Sequence, residues 1–151
     1  IELSRSSKWK RTGILWWNVR DCWPIISDAV VDFYGHKKLA YRYIQRVQAD
    51  VCAMCGEPES GRHPLVVVND TLAEAAGHVT VRDLDGNNVL FESDFRVGRN
   101  GRIVAGAVPQ AEKPAMWLLE WSVAGRTYRN HYLAGPRPFK LDDYKRWLKS
   151  L

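Results

Sequence analysis

The residues best equipped for chemistry stand together at the end of one apolar run. Ile14, Leu15, Trp16, Trp17 and Val19 lie between Gly13 and Pro24, and Asn18, Arg20, Asp21 and Trp23 arrive where that run gives out. Polar groups gathered at the carboxyl end of a strand sit where barrels of alternating strands and helices place their chemistry. The rest of the chain offers little for covalent chemistry. Glu2, Glu57, Glu59, Glu74, Glu92, Glu112 and Glu120 are dispersed, and no two of them suggest an acid/base dyad. His36, His63, His78 and His131 are isolated, with no Ser or Cys nearby in a nucleophile pattern, and read as structural or surface residues.

The cysteines point away from a metal. Cys22, Cys52 and Cys55 are an odd set, which argues against a disulfide framework. Cys52-Ala53-Met54-Cys55 is a lone CxxC, whereas structural zinc needs four ligands, and His63 alone does not complete the set. Reduced cysteines near a domain junction, with no metal and no cofactor, are the expectation.

The elements that must position the cluster follow from periodicity. Gly13 to Val19 reads as a short strand buried on both faces, as in a parallel sheet. A loop to Tyr34 carries Pro24 and Asp28, and a helix is predicted from about Gly35 to Gln48. Leu39, Ala40, Tyr43, Ile44 and Val47 form its apolar stripe, with Lys37, Lys38, Arg42 and Arg46 on the other side. After Asp50 the period falls to 2. Leu65 to Asn69, Val79 to Leu84, Val89 to Val97, Ile103-Val104, Met116 to Val123 and Thr127 to Leu133 read as strands. Asp85-Gly86-Asn87 and Ala124-Gly125 mark turns, and Asn100-Gly101 is the strongest two-residue hairpin signal. Six or seven strands at roughly ten-residue spacing suit an immunoglobulin-like sandwich, with Trp117 and Trp121 on its core face. Leu141, Tyr144, Trp147, Leu148 and Leu151 fall at helical spacing, so a short helix docks through Trp147 at the end of the chain.

Composition excludes some partners. The net charge of +5 is scattered, dense only over Arg5 to Arg11 and Lys145 to Lys149, which is not the footprint of a nucleic-acid protein. No apolar run is long enough to span a membrane. The chain opens at Ile1 without Met and reads as a piece of something longer, so the missing leader says nothing of where the parent works.

The run Gly13-Ile14-Leu15-Trp16-Trp17-Asn18-Val19-Arg20-Asp21-Cys22-Trp23-Pro24, then Val31-Asp32-Phe33-Tyr34-Gly35 and Lys38-Leu39-Ala40-Tyr41, resembles the last strand and last helix of the catalytic barrel in glycoside hydrolase family 2, β-mannosidase-like branch. The likeness is specific over about 35 residues, and the closing Tyr144-Lys145-Arg146-Trp147-Leu148 is similar to the tail of many such sequences. Asn18 stands where Gln is usual, and Arg20 where Asn is usual.

The resemblance implies a mainly β chain in three parts: residues 1–50 as the last β/α unit of a TIM barrel, 51–135 as an immunoglobulin-like β-sandwich, and 136–151 as a tail helix. It implies a parent that hydrolyses a β-linked glycoside with retention, β-mannoside first, β-galactoside or β-glucuronide as alternatives. The two glutamates such chemistry needs would lie upstream of Ile1, so the chain holds no catalytic residue and should be inert alone. Trp17 matches the tryptophan that floors the sugar subsite, its alternative being plain core. Asp21 matches the following aspartate, which holds the loop or lies near the pocket. Partners are then the carbohydrate substrate and the missing barrel. Without that barrel, Gly13 to Val19 has open edges and pairs with a second copy, folds against the sandwich or stays poorly ordered. The seven tryptophans suit a large aromatic core or sugar-stacking platforms. A carbohydrate-binding sandwich using exposed Trp117, Trp121 or Tyr128, or a purely structural module, are the alternatives.

Overall fold

A computed structural model describes residues 1–151. Seven strands form two antiparallel sheets: β1 (Val51–Cys55), β2 (Arg62–Asn69), β3 (Ala75–Asp83), β4 (Val89–Val97), β5 (Arg102–Pro109), β6 (Ala115–Val123) and β7 (Arg126–Ala134). One sheet runs β1-β2-β5 and the other β4-β3-β6-β7. This is the expected immunoglobulin-like sandwich, with its fourth strand paired to the third. Three helices flank it: α1 (Glu2–Ser6) and α2 (Leu39–Val47) before the strands, and α3 (Leu141–Leu148) after them.

The core lies between the sheets, where Leu65, Val67, Val79, Val81, Val97 and Val108 are fully buried. Trp117, Leu119 and Trp121 alternate along β6 and join that same cluster, as period-2 geometry requires of residues two and four apart. Trp121 also donates its indole N–H to the Val51 carbonyl at 2.9 Å, joining the two sheets. Tyr128 stacks on Trp121 at 5.7 Å. Two of the three rings considered as a glycan platform are thus core, and the third packs on one of them.

The strand expected at Gly13 to Val19 is not formed, so the β/α unit of a barrel is not seen; α2 is present without it. The reason is hydrogen bonding. The run meets only Val31, through Val31 N–H donating to the Val19 carbonyl at 2.9 Å and Asp21 N–H donating to the Val31 carbonyl at 3.1 Å. One bridge does not make a sheet, and a strand with two open edges has nothing to hold it. The continuous apolar runs buried on both faces are instead Val51–Cys55 and Leu65–Asn69. Of these, β1 escaped the sequence reading, because Val-Cys-Ala-Met-Cys does not alternate.

Asn100-Gly101 does not close a hairpin either. β4 pairs with β3 while β5 pairs with β2, so the segment crosses from one sheet to the other. Asn100 N–H donates to the Thr71 carbonyl at 2.8 Å, and Asn69 N–H to the Gly101 carbonyl at 2.9 Å. The crossing is held by the Asn69 side chain, which is completely buried. Its amide donates to the carbonyls of Ala73 at 2.7 Å and Gly98 at 3.1 Å, and its oxygen accepts from Thr71 N–H and Oγ1 at 2.9 and 2.8 Å. The other two turns behave as expected. Ala124 and Gly125 both take positive φ, 49° and 75°, in the two-residue β6–β7 turn, the conformation such hairpins need.

Removing the Asn69 side chain takes away the donor to the Ala73 and Gly98 carbonyls and the acceptor for Thr71. Asn69→Ala should therefore cost about 2 kcal/mol or more, lowering Tm by several degrees in a chain of this size. A thermal melt followed by tryptophan fluorescence checks this; an unchanged Tm would show that the crossing does not depend on Asn69.

Candidate functional site

The aromatic cluster is held from behind by one buried carboxylate. Asp21 is 4% exposed. Ser27 Oγ donates to its Oδ1, and Lys38 Nζ to its Oδ2 at 3.1 Å. Lys38 also donates to the Ser27 carbonyl at 3.0 Å, and Ser27 Oγ accepts from Ala29 N–H at 3.0 Å. Lys38 is the residue that begins α2, so this network fastens the loop of residues 20–38 to the start of that helix. The Ser27 hydrogen bond, then the Lys38 hydrogen bond and charge, hold the Asp21 carboxyl below its ordinary range against the opposing effect of burial. Asp21 is a loop-holding residue with no free oxygen facing solvent. Arg20, which stands where the resembled family usually has Asn, donates to the Phe33 carbonyl at 2.7 Å and holds the far side of the same loop.

What this scaffold displays is apolar. Trp17 is 81% exposed, and Leu15, Val19, Trp23, Ile25, Ile26 and Tyr34 are exposed with it. Thirteen of the seventeen exposed large hydrophobic residues fall in residues 1–41, while the sandwich contributes few. Scattered exposed apolar residues are ordinary, but a contiguous set signals a covered surface. Trp17 is not core. With Ile14, Trp16, Val30, Ala40 and Ile44 it lines an open, mostly apolar hollow of about 450 Å³, to which Asp28 and Glu2 bring the carboxylates. Trp17 and Asp21 thus share a loop but not a pocket wall: the ring faces out and the carboxylate faces in.

Two other carboxylates fasten the remaining outer pieces. Asp70, in the β2–β3 connection, accepts from Arg5 at 2.8 Å and from Lys8. Arg5 also donates to the Val47 carbonyl and, at 2.8 Å, to that of Ala49, where α2 ends. Asp85, in the β3–β4 turn, accepts from the Trp147 indole at 2.8 Å and from Arg146, docking α3 through Trp147 as expected. Burial opposes ionisation of Asp70, but the Lys8 hydrogen bond and the Arg5 and Lys8 charges prevail and hold its carboxyl low; the Arg146 hydrogen bond does so for Asp85.

Burial pushes the Cys52 and Cys55 thiols up to about 12, so neither is a thiolate near neutrality.

The chain is thus a β-sandwich with a loop held by a buried carboxylate and a tryptophan turned outward. No protein-family profile matches the chain. It is 25% identical to β-mannosidase B of Aspergillus oryzae over 154 aligned positions, covering 87% of this chain and 18% of that protein. It is 30% identical to the Emericella nidulans enzyme of the same name over 104 positions, 61% of this chain and 12% of the relative. A short match to the Thermothelomyces thermophilus β-mannosidase B reaches 46% over 39 positions, 26% of the chain and 5% of the relative. Among solved structures, the β-D-mannosidase of Dictyoglomus thermophilum has the same fold, with a TM-score of 0.76 at 24% identity over 89% of this chain and 18% of the other. β-Mannosidase B relatives therefore cover most of the chain at low identity. The chain spans less than a fifth of these proteins' length.

The three carboxylates make the outer pieces acid-labile. Each has a folded-state pKa below its unfolded value, so its stabilisation is full above the unfolded pKa of about 4 and fades as pH falls through the folded one. Hydrogen-exchange protection at residues 1–48 and 141–148 should fall below about pH 4 while the apolar sandwich stays protected. Equal loosening of strands and tethers would contradict this.

Proposed function

We propose that the chain is the C-terminal region of a retaining β-glycosidase of the β-mannosidase type. In this reading residues 1–50 complete the catalytic barrel, residues 51–135 are an accessory sandwich that props it, and 136–151 form the tail. The observation that carries the reading is Trp17: a large ring left 81% exposed on a loop pinned by Asp21, Ser27 and Lys38. A rigidly presented indole suits the apolar face of a pyranose, and the surrounding exposed aliphatic groups suit burial against further protein. Its likeness to β-mannosidases favours a β-mannoside as the substrate class, with β-galactoside and β-glucuronide as alternatives.

The partners follow. Carbohydrate is bound through the parent, and the apolar face of residues 14–34 is covered by the barrel. In the isolated chain that face is open to a second copy through Gly13 to Val19. The catalytic carboxylates belong to the rest of the parent. Of the chain's own glutamates, Glu2 is committed to Asn130, Glu74 to Arg96 and Glu120 to Arg129.

The test is hydrolysis of an aryl β-mannoside by the full-length parent and by the 151-residue chain. The parent should turn over and the chain should not. In the parent, Trp17→Ala should lower kcat/KM about 10- to 100-fold, the loss of about 1.5–3 kcal/mol of aromatic burial. Asp21→Asn should act more weakly, through loop position. Turnover by the isolated chain, or a Trp17 variant with unchanged kcat/KM, would overturn the reading.

A further inference from the structure

One exposed tryptophan stands apart from the apolar face of residues 14–34. Trp9 is 66% exposed, and it sits in the turn after α1 with a φ of 72°. A bulky side chain takes that left-handed conformation only where its surroundings impose it, and such strain gathers at functional positions. The turn imposes it here: the Lys10 and Arg11 N–H groups both donate to the Ser7 carbonyl, at 2.9 and 3.0 Å. The Lys8 ammonium donates to Asp70 and, at 3.3 Å, to the Asn69 carbonyl. It lies 5.8 Å from the Trp9 ring centroid and braces one face of the indole.

Beside the ring is an open hollow of about 340 Å³. Trp9 and Ile14 are its only large apolar members, so it differs in kind from the hollow at Trp17. Ser4, Arg11, Thr12 and Asn100 line it with side chains that make no hydrogen bond or ion pair within the protein, and all four reach solvent. The charges are unequal. Arg5, Lys8 and Arg11 stand against a single carboxylate, Asp70, which Arg5 and Lys8 already share. Arg11 is the cation of this hollow that no acidic side chain neutralises.

These features select among ligands. A metal ion is not served, because Asp70 is the one acidic group and two cations hold it. A small inorganic anion satisfies Arg11 but leaves the indole uncovered. A wholly apolar molecule covers the indole but strips water from Arg11, Thr12 and Asn100 without replacing it. A neutral sugar meets the ring and the polar side chains but not the surplus charge. A sugar ring bearing a carboxylate meets all three: carbon face on the indole, hydroxyls on the polar side chains, carboxylate on the guanidinium.

We propose that the hollow at Trp9 binds an acidic saccharide, a uronate of about one or two rings. Trp9 carries the ring, Arg11 holds the carboxylate, and Ser4, Thr12 and Asn100 take the hydroxyls. No bond is made or broken there. The site is built from α1, the turn after it and the sandwich crossing at Asn100, so it does not depend on how Trp17 is used.

The test is an NMR titration of the 151-residue chain with methyl β-D-glucuronide, methyl β-D-glucoside and acetate, following the Trp9 indole and the Asn100 side-chain amide. The indole signal is assigned by its loss in Trp9→Asn, a variant that keeps the turn because Asn tolerates the left-handed backbone. The glucuronide should give saturable shifts with Kd of roughly 1–10 mM, and the glucoside and acetate should each bind at least tenfold more weakly. Binding should weaken severalfold in Arg11→Gln and with added salt, the Asn100 amide should no longer move in Trp9→Asn, and Trp17→Ala should change nothing. In the full-length parent, hydroxyl-radical labelling should oxidise Trp9, and the glucuronide at about 50 mM should protect it. A glucoside or acetate that binds as well as the glucuronide would overturn the proposal. So would a Trp9 that the parent protects without saccharide, since protein would then cover the ring.

Discussion

The outer third of this protein, residues 1–50, hangs on the Arg5 guanidinium. The last carbonyls of a helix have no partner within it, and a cation there meets the negative end of the helix dipole. Arg5, on a five-residue helix too short to be stable alone, supplies that cation to α2 by reaching the Val47 and Ala49 carbonyls. Asp70 of the sandwich fixes the other side of the same guanidinium at 2.8 Å. One side chain therefore joins α1, the end of α2 and the sandwich. At the opposite end of α2, Lys38 holds Asp21 and with it the aromatic loop. Trp17 is positioned by this line of contacts rather than by a sheet.

The economy of that arrangement explains the contrast between the two parts. Seven strands bury a continuous apolar core and satisfy one another's backbones. Residues 1–50 bury little: Ala29, Val30, Asp21 and Val47 are their only buried members. They keep their shape by hydrogen bonds to single carboxylates and carbonyls. Such a segment presents apolar side chains outward because its own scaffold has no interior to take them, and on the proposed reading the barrel supplies that interior.

Much of this was legible in the sequence, where the signal was local. Alternation found Val79, Val81, Trp117 and Trp121, the Ala124-Gly125 pair gave its hairpin, and Trp147 at helical spacing gave its docked helix. The failures share a cause, which is that the deciding partner is remote. Gly13 to Val19 has the composition of a buried strand but no neighbours to bury it. Asn100-Gly101 has the residues of a hairpin but crosses between sheets because Asn69, thirty-one positions earlier, gathers the carbonyls around it. The partners of Asp21, Ser27 and Lys38, were not legible either, since they stand six and seventeen positions away.

The central claim is that the aromatic face of residues 14–34 is an interior surface of a larger enzyme. The most direct measurement is backbone hydrogen exchange over these residues, in the full-length parent and in the 151-residue chain. The account predicts rapid exchange in the short chain and strong protection in the parent, with the sandwich strands equally protected in both. Rapid exchange over residues 14–34 in the parent as well would mean that nothing covers this face, and would contradict the claim.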